Sequence, residues 1–492
     1  MTLWYDVSDL TTWTLPHLTG IQRTTVGILG GLIARGASPR LVRHDPTHQT
    51  FLPVTVADLP VAVRRHLPEA VGLSSPTLIA TGSSTAPPAS PPPPVRRRRR
   101  LFHRDSLFGT SPAAIELRLA FREFKAAWRQ FRKKLRRWSV VRFTESTPRP
   151  AGHASRFGHS TVPRPLPHAD GQLGSFAPGD TLVSLGASWP IAGHAEAVAG
   201  LRRQGVCVLR MIYDLIPTIK PQWVDEPTVR QVTNWVRRVL TESDHVLTIS
   251  NFSRSEIEAY CIESRFQVPP LSVVRLGDEL DSAEDDHPPL PRFAPNRPFF
   301  VCVSTLDIRK NHRLLYDAWQ MLASRDPQNC PDLICLGVPH LYVADLMREI
   351  RQDRTVNGRI HFLHGVEDAE LAWYYRHCAA TIYPSRYEGW GLPVAESLGH
   401  GRLCLASNAT SIPEISADLP AFFDPLDVPG LVALVEQTLH DPEWVREREA
   451  AIRDRFTPTP WTHTAGQVLA AVETAGQSQH QSQSQGPGRE AA

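Results

Sequence analysis

Residues 380–396 read ATIYPSRYEGWGLPVAE, and their order of apolar run, breakers and renewed apolar periodicity decides how the chain folds. Ala380 to Tyr383 is a short apolar run of the kind that forms a buried strand, and Pro384 ends it. Gly389 and Gly391 disfavour a helix through Glu388, whereas Pro393 suits a first helical turn, which places Glu388 on a loop and Glu396 on the helix that follows. Strand, loop and helix in that order form a unit of a parallel sheet whose faces are covered by helices.

The same alternation repeats outward in both directions. Strands are expected at Phe299–Val303, Asp332–Leu336, Arg359–Leu363 and Leu403–Ala406, with helical runs between them. Upstream, a strand at Leu3–Val7 leads through Thr19-Gly20 into a helix over Ile21–Arg35. Strands at Thr181–Leu185, Val206–Tyr213 and His245–Ile249 are each followed by helical stretches, the last capped by Ser250 or Ser253. Between Asp281 and Pro298 the chain is acidic and proline-rich, so neither a helix nor a central strand persists there. These signals predict an α/β protein with two doubly wound, Rossmann-like domains: residues 1–280, a linker at 281–298, and residues 299–473. The low-complexity polar residues 474–492 are expected to be a disordered tail.

Two carboxylates eight residues apart on a loop and a first helical turn face the carboxyl edge of the sheet, where open α/β sheets bind ligands. Carboxylates there suit the vicinal hydroxyls of a sugar or ribose, although a cap or a complement to the helix dipole explains either one alone. Ser304-Thr305-Leu306-Asp307-Ile308-Arg309-Lys310-Asn311 lies between a strand and a helix. Cations at that point make sense beside an anion such as a diphosphate, the alternative for Arg309 being a solvent-facing side chain. Gly20 would let a phosphate or acceptor approach backbone N–H groups, and Arg23 could reach the same pocket. No Asp-x-Asp follows a strand and no His or Cys cluster has zinc spacing, so neither a metal nor another cofactor is expected.

Together these residues resemble the retaining GT-B glycosyltransferases of family 4, over about Phe299 to Thr464 and in scattered N-terminal pieces such as Asp6-Val7-Ser8, Thr19–Arg23 and Tyr213–Pro217. The resemblance implies a nucleotide diphosphate sugar as co-substrate in a cleft between two domains. It assigns the ribose hydroxyls to Glu396, the donor sugar to Glu388, the diphosphate to Lys310 with Arg309, and the base to the backbone around Val366. Thr305, Gly389, Trp390, Gly391 and Leu392 complete the donor loops, and Tyr213 and Asp214 stand where the acceptor domain meets the donor sugar. The chain departs from the family at Ser304-Thr305, where many members have Gly-Arg, and at Tyr213, where many have His. The implied reaction is retaining transfer of a mannose- or glucose-type hexose to a saccharide or lipid-linked acceptor. A glycan synthase of the same fold, or an inactive scaffold that binds membrane, are the competing readings.

The 492 residues carry a net charge of +3, which conceals a marked asymmetry. Sixteen of the 53 basic residues fall between Arg96 and Arg142 against three acids, so this window carries +13 and the remainder −10. After the proline tract Pro87–Pro94, the seam Leu117, Phe121, Phe124, Trp128, Phe131, Leu135 and Trp138 has helical spacing among arginines, marking an insertion over about residues 83–150. Such a helix either lies on an anionic membrane or packs on protein; its one-sided aromatics do not suit nucleic acid. Seven cysteines without a CxxC pair read as buried thiols. The opening residues lack a signal-peptide pattern, so the expected location is cytoplasmic, peripheral to the inner face of the cell membrane if the insertion binds lipid.

Overall fold

The computed structural model describes residues 1–11, 13, 18, 20–67, 175–279, 291–340, 343–356 and 358–484. The expected insertion at 83–150 and most of the linker lie outside the described residues. In chain order the first sheet and its main helices are β1 (Leu3–Asp6), α1 (Gly20–Ala34), β2 (Arg40–Asp45), β3 (Thr50–Val54), β4 (Thr181–Ser184), α2 (His194–Arg203), β5 (Cys207–Met211), α3 (Glu226–Glu242), β6 (His245–Thr248), α4 (Asn251–Ser264) and β7 (Leu271–Val273). The second set is β8 (Phe299–Val303), α5 (His312–Arg325), β9 (Asp332–Leu336), α6 (Ala344–Gln352), β10 (Ile360–Leu363), α7 (Asp368–His377), β11 (Ala380–Tyr383), α8 (Leu392–Gly399), β12 (Cys404–Ser407), β13 (Ala421–Phe423), α9 (Val428–His440), α10 (Pro442–Arg455) and α11 (Trp461–Ser484).

The second sheet has the order β10-β9-β8-β11-β12-β13, parallel throughout. The strand order reverses between β8 and β11, so the loops leaving these two neighbours diverge and open a crevice at their carboxyl ends. The strands are apolar along their length because helices cover both faces. On α5, for example, Leu314, Leu315, Ala318, Trp319 and Leu322 form the covered face, with Trp319 fully buried. Fully burying one such leucine stabilises by about 1.5–3 kcal/mol.

The first sheet has the order β3-β2-β1-β4-β5-β6-β7, parallel except for the β2–β3 hairpin. The sequence reading misses β2, β3 and β7, the first two because Arg40 to Val54 mixes polar and apolar residues without a clean period of two. Ser250, not Ser253, caps α4, its side chain accepting from the Ser253 N–H. All seven cysteines are buried and free.

Two domain assignments need correction. Residues 474–484 are helical, the end of α11, because Ala465, Val468, Ala471, Val472 and Ala475 continue one buried face past the expected boundary. This helix also leaves the second sheet and packs on α1, so residues 461–473 lie with the first domain. The packing is close: a Cβ on Gly27 would stand 2.3 Å from the Trp461 ring, and one on Gly31 would stand 2.4 Å from the Trp461 carbonyl oxygen. A continuous apolar cluster runs from Tyr5, Leu29 and Leu209 of the first domain to Trp390, Val394 and Ile412 of the second. The two domains therefore share a core.

Candidate active site

At the crevice of the second sheet, the β8 loop brings Arg309 and Lys310 to the β11 loop that carries Glu388. Asp307 caps the short 3-10 turn Ile308–Lys310 by accepting from the Arg309 N–H, and Asn311 then takes a left-handed conformation with φ 60° before α5 begins. The Asn311 amide holds that turn by donating to the Pro384 and Pro425 carbonyls at 3.0 and 2.8 Å and accepting from Arg386 Nε at 3.0 Å. Arg386 is thus occupied in shaping the turn.

The turn aims both cations at one carboxylate. Lys310 Nζ lies 2.5 Å from Glu388 Oε1, and Arg309 Nη1 lies 2.7 Å from Oε2. Lys310 also donates to the Tyr383 hydroxyl at 2.9 Å. Burial by itself would raise the Glu388 pKa, but the Arg309 and Lys310 charges outweigh it and hold the carboxyl at about 2. The Glu388 backbone is fixed as well: its N–H donates to Thr410 Oγ1, and its carbonyl accepts from the Thr410 and Ser411 hydroxyls. Arg309 does not point to solvent, the alternative open from sequence.

Glu396, buried on the first turns of α8, has different partners. Arg23 of α1 donates from Nη1 to Oε1 at 2.7 Å, and the Tyr375 hydroxyl donates to Oε2 at 2.8 Å. His400 stacks on the Tyr375 ring at 4.9 Å and binds the Glu396 carbonyl through Nδ1 at 2.8 Å. Arg23 and Tyr375 also line a cavity of about 590 Å³ with Asp368, Leu371, His400 and Trp461. Gly20 opens α1 with empty space where a Cβ would be, so no protein atom demands glycine there.

The loop residues between the two glutamates join the domains. A Cβ on Gly389 would come within 2.8 Å of the Tyr213 carbonyl and 3.0 Å of the Asp214 Cβ, so glycine lets this loop rest on the segment that follows β5. Gly391 sits at φ 144°, a region that favours glycine, and Leu392 begins α8. Trp390 is buried with Arg275 over its ring at 5.2 Å. Glu414 of the second domain accepts from the Asn251 and Phe252 N–H groups at 2.8 and 2.7 Å, capping α4 of the first.

Other expected residues fall at the edges. Tyr213 lies against Gly389, but its hydroxyl donates to the Leu185 carbonyl at 3.0 Å, away from Glu388. Asp214 is held by the Ile216 N–H at 2.9 Å. Thr305 is exposed on the β8 loop, and Val366 is half-buried on the β10 loop. The carbonyls of His364 and Gly365 beside it are bound by Arg292 at 3.2 and 3.0 Å. Sequence reasoning missed Tyr383, Tyr375, Thr410 and Ser411. Tyr383 was within reach, since it ends a strand at the ligand-binding edge, but nothing local marks Tyr375 as a partner of Glu396.

Residues 284–455, which hold Glu388, Glu396, Arg309 and Lys310, match the family model described as glycosyl transferases group 1. The match covers about a third of the chain. With two doubly wound domains meeting at the group 1 site, the fold is GT-B. The chain is similar to the O-antigen chain mannosyltransferase B of Escherichia coli, at 29% identity over 51% of this chain and 66% of the relative. It is also similar to the serotype-specific mannosyltransferase WbdA of Escherichia coli, at 26% identity over 53% of this chain and 32% of the relative. The matched region thus spans less than two thirds of either relative. Among solved structures, an alpha,alpha-trehalose-phosphate synthase (UDP-forming) from Burkholderia xenovorans aligns with TM-score 0.46 and 13% identity, over 61% of this chain and 73% of that one. Among the described residues no helix is long and apolar enough to cross a membrane.

Proposed function

We propose that the protein is a retaining hexosyltransferase that moves mannose from a nucleotide diphosphate sugar to a saccharide or lipid-linked saccharide during surface polysaccharide synthesis. The observation that carries this reading is the Glu388–Arg309–Lys310 cluster at the strand-order reversal of the second domain. The relatives' names supply mannose and the polysaccharide context. The two cations neutralise Glu388. A bound diphosphate competes for them, and Glu388 is released to accept hydrogen bonds from donor sugar hydroxyls. Glu396 accepts from the ribose hydroxyls, with Tyr375 holding its other oxygen, and the cavity of about 590 Å³ beside its partners has room for a nucleoside.

Transfer breaks the bond between the anomeric carbon and the diphosphate oxygen and forms one to the acceptor oxygen. Attack on the same face lets the departing diphosphate take the acceptor proton, so no side chain serves as nucleophile and the configuration is retained. Lys310 and Arg309 stabilise the charge that grows on the leaving group, the largest electrostatic demand of the step. The domains' shared core and the Glu414 cap hold the two domains against each other at the site. The Arg96–Arg142 window, with its +13 charge, fits a role in holding the enzyme at an anionic inner membrane surface where a lipid-linked acceptor lies.

The test is a thermal-shift screen of the full chain with GDP-mannose, UDP-glucose, dTDP-glucose and ADP-glucose, followed by transfer assays with the stabilising donor. A shift with GDP-mannose and an α-linked product support the reading. No shift with any donor, or an inverted product, overturns it.

A further inference from the structure

Arg292 and Phe293 belong to the stretch of the interdomain linker that the structure describes, and the donor reading gives them no part. Both are tied to the unit formed by β10 and α7. The Arg292 guanidinium donates from Nε to both oxygens of Glu370, at 3.2 and 2.9 Å, and the Arg292 backbone N–H donates to Oε1 at 2.9 Å. Glu370 is buried on the first turn of α7. The Phe293 ring lies on His361 at 4.3 Å, and its carbonyl accepts from the Tyr374 hydroxyl at 2.8 Å.

With Nε committed to Glu370, the rigid fork of Arg292 turns its other two nitrogens to the loop that leaves β10. Nη1 donates to the His364 carbonyl at 3.2 Å and Nη2 to the Gly365 carbonyl at 3.0 Å. A planar trans peptide holds its C=O and N–H in opposite directions. Fixing these two carbonyls toward the linker therefore fixes the N–H groups of Gly365 and Val366 away from it. Neither N–H has an acceptor among the described residues. Gly365 sits at φ 62°, where glycine meets no steric cost. The Val366 side chain packs with Phe293 against the cluster of Phe299, Val301 and Leu336, so the loop offers a ligand its backbone.

As an ion pair alone, Arg292 with Glu370 would contribute little, since 52% of the arginine side chain is open to solvent. Its fork matters because it sets a backbone orientation. Resting on the donor reading, in which the backbone around Val366 meets the nucleotide base, we infer that Arg292 is a positioning residue for the donor: by holding the His364 and Gly365 carbonyls it keeps the next two N–H groups free to donate to the base. The linker between the domains is thereby part of the nucleotide site. Loss of Arg292 acts on the nucleoside and leaves the diphosphate cations, Lys310 and Arg309, as they are.

The experiment measures binding of GDP, UDP, dTDP and ADP by calorimetry, and steady-state transfer from the matching donor, with the wild-type full chain, Arg292→Ala and Arg292→Lys. In Arg292→Ala the nucleotide that binds the wild type most tightly should bind about tenfold more weakly, the size of one or two hydrogen bonds, and donor KM should rise by the same factor with kcat unchanged. Arg292→Lys, which can hold Glu370 and at most one carbonyl, should fall between the two proteins, and it decides the question if Arg292→Ala does not fold. A purely structural arginine would lower the melting temperature without moving KM. Affinity and KM unchanged in the variants, or a kcat that falls as far as KM rises, overturns the assignment while leaving the hexosyltransferase reading in place. A wild type that binds none of the four nucleotides and transfers no sugar removes that reading, and this inference with it.

Discussion

Glu388 and Glu396 stand eight residues apart, and the structure neutralises them differently. Glu388 is bracketed by Arg309 and Lys310, both from its own domain and one strand away in the sheet. Glu396 is met by Arg23 from the other domain and by the uncharged Tyr375. The first arrangement is complete within the second domain and follows from the strand order, whereas the second exists only because α1 reaches across. The Glu388 cluster is thus built into one domain, while the pairing of Glu396 is also a contact between domains.

The largest effect expected from this contrast is at Lys310. Lys310→Ala removes a buried cation from Glu388 and from the leaving diphosphate together, and should lower kcat about 10²–10³-fold, as loss of one preorganised electrostatic partner commonly does. A loss under about threefold in transfer assays would mean that Arg309 alone carries the diphosphate. Glu396→Ala should act on binding instead, raising donor KM about 10–100-fold, the size expected for a hydrogen bond to a charged group. If kcat falls and KM does not, Glu396 contacts the transition state and the two glutamates are more alike than the geometry says.

The contrast should also be visible in acid. Glu388 titrates at about 2 in the folded protein against an ordinary 4.5, so it contributes stability that is fully present above about 4.5 and is lost as pH falls toward 2. Converted through the linkage relation, that shift is worth about 3 kcal/mol. Buried Asp6 is also held at about 2, where burial would raise it but the His194 interaction outweighs the burial, so the wild-type curve contains both groups. The difference between wild type and Glu388→Gln isolates one of them. That difference, measured by chemical denaturation from pH 7 to pH 2, should shrink to near zero at the acid end; a difference independent of pH would show that Glu388 is not paired in solution.

How much of this was legible follows the same division. The five strands expected in the second domain appear, two with their first residue moved by one, and Lys310, Arg309 and Glu388 assemble because residues at the ends of neighbouring strands are brought together by strand order alone. The crossing of α11 to the first domain was not legible, because its apolar spacing specifies a buried face without naming what covers it. Gly27 and Gly31 carry the missing half of that information, but only once Trp461 is seen against them. Tyr375 was hidden for a related reason: on a helix with apolar neighbours it looks like core, and its hydroxyl finds Glu396 through tertiary placement. The hairpin β2–β3, which brings β3 to the edge of the first sheet, was missed because its pattern is mixed.

The smallest expected effect tests the nucleotide end most sharply. Arg23 is partly exposed, with 30% of its side chain open to solvent, so Arg23→Ala should cost less than about 1 kcal/mol of stability despite the 2.7 Å ion pair. Its effect on the donor depends on what the pair does. The guanidinium holds the Glu396 oxygen that a ribose hydroxyl would need, while Tyr375 keeps the other. Removing Arg23 frees that acceptor without touching the cations around Glu388, so donor KM should fall severalfold with kcat little changed. A rise in KM would place Arg23 on the donor itself, as the sequence first suggests. In that case both glutamates would work beside a cation that binds the substrate, and their contrast would reduce to which domain supplies it.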